Sequence, residues 1–128
     1  MVTNNMWGSL EDTEIVRTPT AILRGQAEIL GKVTKKLLEG EVDVSTTRGG
    51  TFYIDLDITV PNLENYSYTV LRVKHSMLIY PLEIGKTVDG KDYVCDNEEE
   101  FIGDLGTILS SKEMRTVISA LLSQAKGT

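Results

Sequence analysis

Two carboxylates set two residues apart, Asp55 and Asp57 in TFYIDLDITVP (residues 51 to 61), are the first candidates for chemistry. On an extended chain, side chains at i and i+2 point the same way, roughly 6–7 Å apart, which is within the range of paired glycosidase acids. Such acids normally line a deep pocket, and an open strand face would leave both ionised. His75 is the only histidine and Cys95 the only cysteine, so any imidazole-dependent nucleophile chemistry has to run through His75. Neither residue lies in a nucleophile elbow or another catalytic signature. One histidine and one cysteine are also too few for an ordinary zinc site. A weak hydrolase centred on His75, or on Asp55 and Asp57, is therefore the least favoured of the functional readings. No enzymatic activity, cofactor or metal is expected.

Two further stretches imitate known sites. GQAEILGKVT (residues 25 to 34) has the composition of a phosphate loop, but five residues separate its glycines and Val33 follows Lys32 where a Ser or Thr is required. DNEEEF (residues 96 to 101) is acidic like a calcium loop, yet it lacks alternating ligands and the glycine at the sixth position. Its acids are better placed as a helix start, where the dipole favours negative charge.

The elements that must position these residues follow from hydrophobic period. Thr18-Pro19 caps a helix that should run to about Glu39, with Gly40 as its stop. Its apolar stripe is Ile22, Leu23, Ala27, Leu30, Val33, Thr34 and Leu37. After Gly40 the period becomes two, and a three-residue loop at Arg48-Gly49-Gly50 pairs Val44 with Ile54 and Val42 with Leu56. This register sets Asp43 against Asp55 and Glu41 against Asp57, an unfavourable pairing of like charges. Arg72 and Lys74 on the following strand are the expected counter-ions, preferred over a divalent cation held by the carboxylates.

On that same strand Tyr66, Tyr68 and Val70 are expected to share the outer face with Arg72. Leu78, Tyr80 and Leu82 should then face the core, with Pro81 marking an edge strand or a bulge. Asp89-Gly90 predicts a hairpin with Tyr93 and Val94 on its return. Asp96 with Glu99, and Ser110 with Glu113, have capping-box spacing before two C-terminal helices.

The resulting expectation is an α+β fold of two layers. A four- or five-stranded antiparallel sheet packs on a long N-terminal helix and two C-terminal helices. Residues 18 to 128 form the single domain and residues 1 to 17 a flexible N-terminal arm. The one tryptophan, Trp7, beside Met6, is expected to pack back onto the domain; the other reading is a plug for a partner or a second subunit. The chain has 128 residues, enough for a core without staples.

A net charge of -6 argues against nucleic acid, and no apolar run approaches the ~18 residues of a membrane span. The N-terminus has no basic flank followed by an apolar run, so no signal peptide is expected and a cytoplasmic location follows. Asn65-Tyr66-Ser67 would be a glycosylation acceptor only in a secreted protein.

The leading functional expectation is a non-catalytic binding or adaptor protein, such as a bacterial or phage inhibitor, immunity or chaperone-like protein. It would meet a protein partner through an acidic, tyrosine-bearing surface formed by Trp7, Asp55, Asp57, Tyr66, Tyr68, Arg72, Glu98, Glu99 and Glu100. A small-molecule-binding protein with a pocket between sheet and helices is the second class. A sheet edge or the Met6-Trp7 arm would serve as the contact of a homodimer.

Overall fold

The computed structural model describes residues 3 to 127; the first two residues of the expected arm and the last of the domain lie outside them. Five strands form one antiparallel meander in the order β1 (Glu39–Thr46), β2 (Phe52–Val60), β3 (Tyr66–His75), β4 (Leu82–Gly85) and β5 (Tyr93–Cys95). Helices α1 (Pro19–Val33), α2 (Glu98–Leu109) and α3 (Lys112–Ala125) accompany the sheet. The fold is α+β, as expected from the sequence. Its core joins Ile54, Leu56, Ile58 and Val60 of β2 to Leu23 and Ala27 of α1, Phe101 and Ile108 of α2, and Met114 and Leu121 of α3. Among the described residues no helix is long and apolar enough to cross a membrane.

The first helix starts where the sequence places it. Thr18 is extended, its hydroxyl accepts from the Ala21 N–H at 3.1 Å, and Pro19 occupies the first turn. It stops at Val33, one and a half turns before the expected end. The Thr34 hydroxyl donates to Leu30 O and accepts from the Leu38 N–H, and Lys35 and Lys36 take positive φ angles of 51° and 65°. This reversal buries Leu38 completely and returns the chain along α1 as β1. Gly40 is thus a strand residue and not the helix stop. A Cβ there would lie 2.5 Å from Ala27 Cα, so the strand can approach the helix only through a glycine.

The hairpin register is the expected one. Val42 faces Leu56, Val44 faces Ile54, Asp43 faces Asp55 and Glu41 faces Asp57. Beyond Leu56 the β2–β3 register shifts at a bulge, which brings Ile58 opposite Tyr68 and Val60 opposite Tyr66. Val70 and Leu71 are both buried as a result. The expectation that Tyr66, Tyr68 and Val70 share a face with Arg72 is therefore corrected: one extra residue moves them to the face of Ile58 and Val60. Tyr68 packs against the core and Tyr66 lies at the rim.

Three other expectations are corrected nearby. Leu78 is 78 % exposed, because residues 76 to 81 form a loop and β4 begins only at Leu82. Pro81 precedes an internal strand rather than marking an edge. Each C-terminal cap falls one residue later than read: Asn97 accepts from the Glu100 N–H at 2.9 Å, and Ser111 accepts from the Met114 N–H at 3.1 Å. Glu100 reaches back past the cap and accepts from the Asp96 N–H at 2.7 Å, a variant of the capping box.

Candidate functional site

On the outer sheet face the carboxylate cluster is already answered. Arg72 donates from Nε and from an Nη to the two oxygens of Asp55, at 2.7 and 3.0 Å, and its guanidinium lies 5.5 Å from the Tyr53 ring centre. The Asp55 hydrogen bond, with the nearby carboxylates, raises the Arg72 pKa further. Lys74 stands opposite Tyr53 and Glu83 and makes no ion pair among the described residues. Asp57 has one buried oxygen without a hydrogen-bond partner among them. The described residues contain no group of three or more His, Cys, Asp or Glu able to hold a metal ion.

The other chemistry-bearing residues are dispersed. His75 stacks on Phe52 with ring centres 5.0 Å apart and points Nδ1 at Ser76 O. Cys95 is buried and donates its thiol to Asp104 on α2 at 3.3 Å. Burial, reinforced by that carboxylate, pushes the thiol up to about 12, far from a reactive thiolate. The hydrogen bonds of His75 and Cys95 therefore run to different partners. In the β4–β5 loop Asp89 accepts from the Tyr93 hydroxyl at 2.6 Å and from the Lys91 N–H at 3.0 Å. Burial works to raise the Asp89 carboxyl, but these hydrogen bonds outweigh it and hold it below its ordinary value.

Of the three glutamates at the start of α2, Glu98 pairs with Arg17 at 3.3 Å and Glu100 serves the cap. Trp7 is 81 % exposed and Met6 92 %, so the expected packing of the tryptophan onto the domain is not found.

The outer sheet face carries a depression of 270 Å³ lined by Tyr53, Arg72, Lys74, Glu83 and Asp92, of mixed charge. Three further concave features lie on the helical layer, where the sequence reading expected a pocket only for its second functional class and named no residues. Between α1, the sheet and α3 a cavity of 160 Å³ is walled by Leu30, Leu56, Ile58, Val70 and Met114. It shares Gln26, Ile29 and Leu109 with a groove of 490 Å³ between α1 and α2. A second groove, of 570 Å³, runs between the end of α2 and α3. Leu109 borders all three. Gly25 and Gly106 line the α1–α2 groove and face open space, a Cβ at either meeting nothing within 4 Å.

The lining also has a charge signature. Its ionisable members are Arg17, Arg115 and Lys126, with no carboxylate, in a chain of 13 basic and 19 acidic residues. Arg17 is compensated by Glu98, whereas Arg115 and Lys126 have no ion pair among the described residues.

One signal for this surface was present in the sequence. Gly25 and Gly106, each of which weakens an amphipathic helix, both line the α1–α2 groove. Compared with protein families, with curated proteins and with solved structures, the chain matches none.

Proposed function

We propose that this chain is a non-catalytic binding protein that receives an extended, apolar and acidic segment of a protein partner on its helical face. The observation that carries this reading is the charge signature: the groove between α2 and α3, which shares Leu109 with the α1–α2 groove, is edged by Arg115 and Lys126 and by no carboxylate, on a molecule of net charge -6. The 160 Å³ cavity supports it, being close to the ~150 Å³ apolar cavity that takes one benzene ring. It is below the roughly 300–1,000 Å³ usual for small-molecule sites, which favours a side-chain anchor over a whole metabolite. An inhibitor, immunity or chaperone-like role is compatible with such an anchor-and-groove surface.

The acidic sheet face is the less suited surface. Asp55 is neutralised by Arg72, and the bulge turns Tyr68 inward. The test is fluorescence anisotropy with labelled synthetic peptides of one length, carrying apolar residues interspersed with either Glu or Lys. Preferential binding of the Glu series, lost in Gly25→Leu, supports the reading. Equal binding of both series, or binding unchanged in Gly25→Leu, removes it.

A further inference from the structure

We propose that the segment received by the helical face is the N-terminal arm of a second copy of this chain, exchanged reciprocally in a homodimer; this rests on the groove reading above. The arm has the required chemistry. Met6, Trp7, Leu10, Ile15 and Val16 are all exposed large apolar residues, and Glu11, Asp12 and Glu14 lie among them. Five such side chains on a segment of this length are an unpartnered surface of the kind that marks an interaction site.

The presentation of the anchor is local and built. The Asn5 side chain accepts from the Trp7 N–H and donates to Gly8 O, each at 2.9 Å, closing a turn with Met6 and Trp7 at its apex. The most exposed aromatic among the described residues thus stands on a hydrogen-bonded tip, and the cavity lined by Ile29 and Leu109 has room for the six-membered ring of its indole, with the rest of the side chain in the groove. The acids of the arm complement Arg115 and Lys126, which edge the neighbouring α2–α3 groove beyond the shared Leu109 and Ser110.

The base of the arm is held beside the groove, while the apolar side chains beyond it stand exposed and off the chain's own surface. Thr18 is extended ahead of Pro19, and Arg17 is tied to Glu98 at the start of α2. In the single chain both the arm and the groove stay unsatisfied. Ten residues from Trp7 to Arg17 span up to roughly 33 Å if extended, enough to cross to a neighbour. Reciprocal exchange satisfies two arms and two grooves with one twofold operation. Each arm offers five large side chains, so the pair removes on the order of 1,000 Å² from water, the lower bound of a specific interface.

The experiment uses the full chain, with mass measured by light scattering and the emission of the single tryptophan followed over concentration. The wild type is expected to be a dimer whose Trp7 emission shifts to the blue as concentration rises. Trp7→Glu removes the anchor, and Gly106→Leu fills the groove while improving helix propensity. Both should be monomeric with unaltered circular dichroism, and Gly25→Leu provides a second groove block should Gly106→Leu fail to fold. An equimolar mixture of Trp7→Glu and Gly106→Leu should regain a heterodimer, because one intact arm then meets one intact groove.

A monomer at all concentrations overturns the proposal, as does a dimer that survives both substitutions. A monomer whose blue-shifted emission is lost in Gly106→Leu also overturns it, since the arm would then occupy its own groove. A synthetic peptide of residues 3 to 17 separates the two levels. If it binds Trp7→Glu but not the Trp7→Glu, Gly106→Leu double variant while the wild type is monomeric, the groove reading stands and the dimer falls. If it does not bind, both fall.

Discussion

Replacing Arg72 by methionine keeps the aliphatic stem of the side chain but removes the charge that holds the outer sheet face together. In the intact protein the guanidinium makes two hydrogen bonds to Asp55, with side chains 36 % and 20 % exposed. A fully exposed pair contributes about 0.2–1 kcal/mol, whereas breaking a buried pair costs about 3–5 kcal/mol. Discounted for solvent screening at this partial exposure, the pair lies near the lower figure, at about 1 kcal/mol. Loss of the stacking on Tyr53 at 5.5 Å adds about 0.5 kcal/mol. The directly opposed Asp43 and Asp55 are then uncompensated, adding a few tenths to 1 kcal/mol.

The expected loss on Arg72→Met is therefore about 2 kcal/mol, read as a lower urea midpoint at neutral pH and low salt with an unchanged slope. Asp55→Asn in the same background should recover part of the loss, and the cycle of single and double variants should give a coupling of about 1 kcal/mol. Molar salt should also recover part of it by screening the acids. An Arg72→Met protein within 0.5 kcal/mol of wild type, or strictly additive single substitutions, would refute the view that Arg72 is the structural counter-ion of this face.

Gly40→Ala should destabilise by about 1–3 kcal/mol, because the new methyl meets the Ala27 backbone and not a yielding side chain; thermal melting checks it. The Cys95 thiol, pushed up to about 12 from 9.0, binds its proton more tightly in the folded chain. The resulting stability is whole below pH 9 and is lost as pH rises from 9 toward 12. Cys95→Ala should flatten that decline in pH-dependent denaturation, and an aromatic disulfide reagent at pH 8 should label Cys95 only on unfolding. Tyr93→Phe removes the 2.6 Å hydrogen bond to Asp89 and should cost about 1–2 kcal/mol at neutral pH. Because Asp89 is held below its ordinary value, that difference should persist above pH 4 and shrink as pH falls through the Asp89 pKa, which acid titration of both proteins would reveal.

Much of the fold was legible because short-range rules govern it. The Thr18-Pro19 start, the period-two pattern of β2 and the requirement that Val42 and Val44 meet apolar partners each needed only neighbouring residues. The Arg72–Asp55 pair was readable for the same reason, since the register places them side by side. The cap assignments slipped by one residue because Asn97 and Ser111 stand next to equally competent Asp96 and Ser110. The candidate site was the least legible part. Nothing in the spacing of Leu30, Leu56, Val70, Leu109 and Met114 announces that they wall one cavity, since they come from five different elements.

By itself, then, the sequence determined the α+β class with most of its helices and strands, the pairing of the first hairpin, and an overall surplus of negative charge. Those properties are set by side-chain period, turn chemistry and composition, which act over a few residues. Only the tertiary structure decided where α1 ends, which way Tyr68 points and where the cations gather. The first depends on Leu38 being drawn into the core and Gly40 onto Ala27, the second on one bulged residue in β3, and the third on how α2 and α3 pack to bring Arg115 and Lys126 to the edge of one groove. Each is a long-range packing outcome, in which burial gained elsewhere outweighs the local preference of the chain.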